Sequence, residues 1–301
     1  MKKITVHLAL FISLLLLCGC AAVETATTVA TDIAVQKGTM TKEQAASIRT
    51  GTTAVARGLE EFTPEQEYYI GRSVGAVVLT KYKPLNDAKA NSYLNLLGHT
   101  LVLASDTPEL FAGFHFLVLD SDDINAFATP GGHVFITRGL IRCCRTEDEL
   151  AAVVAHEIGH IQMRHGMKAI QKARLAEALT VLAREGVKTY GDQELTKLSN
   201  SFGDVISDIT TTMINNGYSR AYEYQADAAA VTLLKHAGYE PGALVKMLQI
   251  MSKELKPGGS DFAKTHPSPQ ARMNELKMSA PTQQTQNVRT ERFTRAAGHL
   301  L

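Results

Sequence analysis

The chain has 301 residues, 45% hydrophobic and 20% charged, with 31 Lys and Arg against 30 Asp and Glu and a formal net charge of +1. That length supports one large domain or two small ones around a substantial core, and the even charge balance leaves no electrostatic footprint for nucleic acid. Aromatic residues make up 6% and Trp is absent, which argues against stacking platforms for single strands or sugars, and no internal repeat marks a solenoid.

Lys2 and Lys3 open the chain, and Ile4 to Leu17 is a mainly apolar run, too short for a comfortable membrane span and laid out like a secretory signal. It ends in Leu17-Cys18-Gly19-Cys20, which resembles the bacterial lipobox, where the last Cys is acylated and becomes the mature N-terminus. Residues 1–19 are therefore expected to be a lipoprotein signal peptide, with Cys20 as a lipid anchor rather than a span. Ala21 follows the Cys; by analogy with Gram-negative sorting, that places the protein on the periplasmic face of the outer membrane. Cys143 and Cys144 are adjacent, which suits neither a disulfide framework nor a zinc finger. Buried thiols are the simplest reading of them, with a vicinal or interchain bridge as the alternatives.

Residues 20–60 are rich in Ala and Thr and lack Pro; they read as the lipidated N-terminus and a tether, with some helix near Thr41–Leu59. Thr63-Pro64-Glu65-Gln66 is a capped helix start, predicting a helix to about Lys81, with another from about Asp87 to Ala104. Phe114–Leu119 and Val134–Thr137 are β-rich, with turns at Asp120–Asn125 and Pro130-Gly131-Gly132. Thr146-Glu147-Asp148-Glu149 predicts a long helix running through His165. Helical periodicity then continues to about residue 280, broken at Gly191, Asn216-Gly217, Gly238–Pro241 and Pro257–Gly259, before a polar tail at 281–301. The expected fold is a mainly helical α+β domain over 61–280, with a small β-sheet next to the long central helix.

Within that central helix stands His156-Glu157-Ile158-Gly159-His160. Positions i and i+4 lie only about 40° apart on a helix face, so both imidazoles can converge on one metal ion, with Glu157 beside them as general base. The flanking AAVV and IQM are small and apolar enough for burial. A third ligand is needed. The metzincin pattern fails, because Gly166 stands where its third His belongs. His165, nine residues after His156, falls on the opposite face unless the helix breaks, and reads as an exposed polar residue near the helix end. Glu223 and Asp227 are again i and i+4. Glu223 suits the third ligand, and Asp227 suits a hydrogen-bond acceptor for a ligand imidazole. The AAAVTLL that follows points to a buried helix, where unpaired carboxylates would be costly.

With Ser219-Arg220 ahead of the acidic pair, this pattern resembles the gluzincin group of HtpX and the CAAX prenyl protease. Residues 125–140, Asn-Ala-Phe-Ala-Thr-Pro-Gly-Gly-His-Val-Phe-Ile-Thr-Arg-Gly-Leu, resemble the strand segment before that group's zinc helix. Thr265-His266-Pro267 with Arg272 resembles its C-terminal His-Pro…Arg element. The resemblance implies a zinc endopeptidase holding one Zn2+ per chain on His156, His160 and Glu223, with Glu157 as base. Asn125, Ala126 and Phe127 would hold substrate backbone by strand addition, and His266 and Arg272 would stabilise the oxyanion. No membrane span follows residue 20, unlike HtpX and the CAAX protease, so prenylated or integral-membrane substrates are not expected. The likeness is closest to the periplasmic LoiP and BepA types, and the short polar stretch after residue 280 favours the LoiP form over BepA with its additional repeat domain.

The expected function is a membrane-tethered zinc metalloendopeptidase that cuts misfolded or stalled envelope proteins, with no nucleic-acid partner. The alternative is a chaperone-like outer-membrane assembly factor with little or latent proteolysis. His266 lies in a Pro- and Gly-flanked loop, from which it could also reach the metal position and hold the enzyme latent until substrate displaces it.

Overall fold

A computed structural model describes residues 20–59, 61–173, 217–254, 266–280 and 287–301. The signal segment 1–19 and the breaks expected at Gly191, Asn216 and Pro257–Gly259 lie outside the described residues. No described helix is long and apolar enough to cross a membrane. The chain divides into two compact units, one holding residues 1–61 and 169–207, the other residues 62–168 and 208–301.

In the first unit, α1 (Cys20–Gln36) and α2 (Lys42–Leu59) pack as a hairpin. The segment read as a tether with helix only near its end is thus helical from Cys20. Thr is a weak helix former, but here its hydroxyls bond back one turn, Thr28 to Glu24 O at 2.9 Å and Thr31 to Thr27 O at 2.8 Å. Thr41 and Gln44 cap α2 reciprocally. Arg49 joins the two helices through Thr31 Oγ1 at 2.7 Å and Asp32 Oδ1 at 2.6 Å.

The second unit opens with α3 (Pro64–Lys81), whose Thr63–Gln66 capping box forms as the sequence predicts. Next comes α4 (Ala88–Leu103), capped by the Asp87 carboxylate on the N–H groups of Lys89 and Ala90. The sheet has three strands, β1 (His115–Leu119), β2 (Ala126–Thr129) and β3 (His133–Thr137), in the order β1-β3-β2. β1 runs parallel to β3 and β2 antiparallel, the latter joined through a tight turn at Pro130–Gly132. Gly71 lets α3 close on that turn, since a Cβ there would sit 1.6 Å from Pro130 O. The outer edge of β1 is covered by side-chain amides of α4: Asn91 Oδ1 accepts from Val118 N and Asn95 Nδ2 donates to Phe116 O.

After the short α5 (Arg138–Cys143), α6 (Glu147–Gln162) runs through the core, with every residue from Glu147 to Ile161 buried. Cys144 is a buried free thiol and Cys143 a partly buried one. Helices α7 (Arg220–His236), α8 (Ala243–Glu254) and α9 (Pro269–Leu276) pack around α6, and α10 (Asn287–Ala297) closes the unit before a final turn at Gly298–Leu300.

Two further elements differ from expectation. α6 stops at Gln162, not at His165: Arg164 adopts φ 52°, and its guanidinium is held by Glu67 Oε2 at 3.0 Å. A left-handed Arg costs about 1–2 kcal/mol, which that ion pair and a bond to Phe62 O offset. Helix resumes at residue 165 on a new axis. The last stretch, read as a polar tail, is largely the helix α10. Its overall polarity hides a face on which Phe293, Ala296, Ala297 and Leu300 enter the core. Beside that face, Arg292 grips the fully buried Glu147 with two N–H groups, and Tyr93 and Tyr239 hydroxyls each donate to the same carboxylate at 3.0 Å. Arg289 holds Asp148 at 2.7 Å.

Phe293 is fully buried, so Phe293→Ala is expected to cost about 3–5 kcal/mol in urea unfolding of the full chain. A loss below about 0.5 kcal/mol would mean that residues 287–300 do not belong to the folded unit.

Candidate active site

The site grows from two helices that touch at a glycine. Gly159 of α6 faces α7 so closely that an added Cβ would lie 3.0 Å from Ala226 O and 3.2 Å from Ala229 Cβ. This approach sets the His156/His160 pair of α6 against the Glu223/Asp227 pair of α7. His156 and His160 are 2% exposed, Glu223 0% and Asp227 1%.

The ligating atoms converge. His156 Nε2 and His160 Nε2 are 3.1 Å apart, and Glu223 lies 3.5 Å from the first through Oε2 and 3.4 Å from the second through Oε1. A tetrahedral shell with bonds of about 2.0–2.1 Å separates its donors by roughly 3.3 Å, so the three residues fit a zinc ion as they stand. Glu223 Oε1, although buried, makes no hydrogen bond among the described residues. His266 joins the group, with Nδ1 2.6 Å from Glu223 Oε2 and all four candidate ligand atoms within 4.8 Å of one another.

Each metal-facing imidazole has a partner behind it. Asp227 Oδ1 lies 2.9 Å from His156 Nδ1 and is itself clasped by Arg272 of α9, Nη2 to Oδ1 at 2.5 Å and Nε to Oδ2 at 2.9 Å. Burial works against ionisation of Asp227, yet the Arg272 guanidinium outweighs it and holds the carboxyl below its ordinary value. Arg272, 1% exposed, thus stands behind His156 as the partner of Asp227. Arg272, expected from the resemblance to stabilise the oxyanion, here also lies 3.1 Å from His156 Nδ1 through Nη2.

The sequence reading missed His165. It is fully buried, not an exposed residue at the helix end, because the helix breaks at Arg164 and turns its ring inward. His165 Nδ1 lies 2.9 Å from His160 Nδ1, and His165 Nε2 lies 3.0 Å from Gln225 Oε1. Tyr218 was missed as well: its ring stacks on His160 at 4.4 Å, and its hydroxyl donates to Ala128 O at 3.3 Å. No pattern in the sequence marks either contact, since both depend on how chain segments meet.

Glu157 faces a groove lined by Val74, Val78, Phe127, Tyr218 and His266. Its Oε1 has no hydrogen-bond partner among the described residues. Burial, aided by the Glu223 carboxylate, pushes its carboxyl up to about 7 against the pull of His156 and Arg272. A carboxyl poised there suits proton transfer near neutrality. The edge strand β2 borders the groove, and part of its edge is already engaged. Asn125 Oδ1 accepts from Ala126 N–H at 2.9 Å, and Tyr218 occupies Ala128 O. Asn125, 1% exposed, therefore bonds to its own strand.

Comparison with known proteins agrees with this geometry. The family model described as Peptidase family M48 matches residues 88–280. The chain is 28% identical over 221 residues to the beta-barrel assembly-enhancing protease of Escherichia coli K12, covering 71% of this chain and 42% of that protein. It is 31% identical over 162 residues to the mitochondrial metalloendopeptidase OMA1 of Schizosaccharomyces pombe, covering 53% of this chain and 44% of that one. To the metalloprotease LoiP of Escherichia coli K12 it is 26% identical over 163 residues, 54% of this chain and 61% of the relative. The chain thus spans less than half the length of the first two.

If the Gly159 contact sets the spacing of the ligand pairs, Gly159→Val is expected to weaken zinc binding about tenfold or more, read by competition with a chromophoric chelator. Unchanged affinity would show that the helix spacing is set elsewhere.

Proposed function

Because this chain belongs to peptidase family M48 and is a metalloprotease, we propose that it is a zinc-dependent endopeptidase of the cell envelope. In this reading a lipid on Cys20 tethers it to the periplasmic face of the outer membrane, and it cuts exposed segments of misfolded or stalled envelope proteins. The observation that carries the catalytic reading is the convergence of His156, His160 and Glu223 beside the buried Glu157, whose Oε1 has no hydrogen-bond partner among the described residues. The lipobox-like Leu17–Cys20 supports the anchor. The name of the beta-barrel assembly-enhancing relative supports an envelope setting.

A zinc ion bound there supplies a Lewis acid for the scissile carbonyl. The protein's own part follows from its geometry. Glu157 takes a proton from the attacking water and delivers it to the leaving amine. Asp227 keeps His156 in the tautomer whose Nε2 lone pair faces the ligand cluster, and Arg272 balances the Asp227 charge. Substrate enters as an extended segment along β2, exchanging its own backbone bonds for those now made to Ala126 N–H and Ala128 O. Such recognition reads chain conformation more than side chains, which suits unfolded segments.

The second reading, an assembly factor that binds clients and cuts rarely, draws on the same relative's name. Glu157→Gln separates the two. In the full chain it is expected to retain bound zinc while lowering casein cleavage about 10²–10⁴-fold, and chelator is expected to stop cleavage by the wild type. Wild-type protein that holds zinc but leaves casein intact, and still does so as His266→Ala, would favour the binding factor.

His266 stands among the ligand atoms, in contact with Glu223, which supports a closed resting site over a purely oxyanion-directed role. His266→Ala is expected to raise casein cleavage severalfold. Loss of cleavage instead would return His266 to transition-state stabilisation.

A further inference from the structure

The two histidines of the zinc helix are held from behind in different ways. His156 has a charged partner, Asp227 with its Arg272. His160 has none within reach of its Nδ1 among the described residues; what it meets there is the Nδ1 of His165, 2.9 Å away, in a fully buried ring. That ring is fixed on two further sides. Tyr222 stacks on it with centroids 4.5 Å apart and planes 9° from parallel, and Gln225 Oε1 lies 3.0 Å from its Nε2. Tyr222 and Gln225 belong to α7, the helix that also supplies Glu223.

With the Gln225 amide oxygen toward His165, these contacts fix one set of protons. Gln225 Oε1 is an acceptor, so His165 carries its proton on Nε2 and donates it. The Nδ1 of His165 is then a bare acceptor, and the bond to His160 requires the proton on His160 Nδ1. A neutral imidazole protonated at Nδ1 presents an unprotonated Nε2, the atom that faces His156 Nε2 and Glu223 Oε1. Reversing the chain would put a proton on His160 Nε2, where it blocks ligation, and would set a lone pair of His165 against the Gln225 oxygen.

We propose that His165 is a positioning residue for the metal site: through Gln225 it fixes the tautomer and ring plane of His160, as Asp227 does for His156. This rests on the zinc-protease reading above. The asymmetry has a physical sense. A second carboxylate behind His160 would add another buried negative charge to a site that already holds Glu157, Glu223 and Asp227 with the single buried guanidinium of Arg272 among the described residues. A neutral imidazole–amide chain orients the ligand without adding charge.

The test uses the purified full chain, stripped of metal, and reads zinc affinity by chelator competition together with the melting temperature of the metal-free protein. His165→Leu is expected to weaken zinc binding 10–100-fold, with little change in metal-free melting. His165→Asn, which keeps an acceptor near the His160 Nδ1 position, is expected to stay within about threefold of wild type. A His165→Leu protein that binds zinc as tightly as wild type overturns the proposal, as does one that loses affinity only in proportion to lost folded protein. Should His165→Leu fail to fold, Gln225→Leu leaves the ring in place and frees its tautomer; it is expected to weaken binding severalfold, and unchanged affinity overturns the proposal equally. A cobalt-loaded sample adds a readout independent of catalysis, since a mis-set His160 shifts the visible bands in His165→Leu and not in His165→Asn. Wild-type protein that binds no zinc would instead remove the metalloprotease reading itself, and this inference with it.

Discussion

Everything at the centre of this molecule depends on α6 and α7 lying close enough for four charged or metal-seeking side chains to share one buried volume. A side chain at position 159 would hold the helices apart, and the absence of one lets Ala226 and Ala229 come into contact with the zinc helix. Two i, i+4 pairs then face each other across the interface. The geometry within each pair is a property of the helix, whereas the geometry between the pairs is a property of that contact.

Such proximity carries a heavy electrostatic cost, and much of the surrounding structure offsets it. Removing carboxylates from water is tolerated only where donors and opposite charges replace the solvent. Asp227 has Arg272, whose buried guanidinium comes from α9. Glu223 faces three imidazoles. At the far end of α6 the same problem recurs, since Glu147 and Asp148 sit buried in the helix's first turn. The macrodipole favours negative charge there, and Arg289 and Arg292 of α10 complete the compensation together with Tyr93 and Tyr239. One helix therefore carries buried acids at its start and ligands near its end, with the chain's last helix closing one end and α9 the other.

Function follows from what is left uncompensated. Glu157 has neither a cation in contact nor a hydrogen bond to its Oε1 among the described residues, and it faces the groove. Its carboxyl is raised by burial, with the Glu223 carboxylate adding to the shift, which is the condition a general base near neutrality requires. The β2 edge beside it is provisionally satisfied by Asn125 and Tyr218. In the proposed reading, an incoming strand would exchange bonds there instead of entering a bare trough.

Local rules acting within a few residues are what the sequence by itself could determine. The Thr63–Gln66 cap, the start of α6 at Thr146, the strands within residues 114–119 and 134–137 and the pairing of His156 with His160 and of Glu223 with Asp227 all follow from helix and strand periods. Helical order in residues 20–36 was less legible, because Thr-rich composition masks a helix whose hydroxyls bond back to their own backbone. Tertiary structure alone decided the rest. His165 lies on the wrong face of a continuous helix and enters the site only because Arg164, drawn to Glu67 on α3, breaks that helix. Nothing in the sequence pairs Arg272 with Asp227 until the fold buries the two together, and residues 287–300 read as a tail until Arg292 meets Glu147 across 145 positions of sequence. In each case the deciding partner is far away in the chain, and periodicity carries no information about partners at that distance.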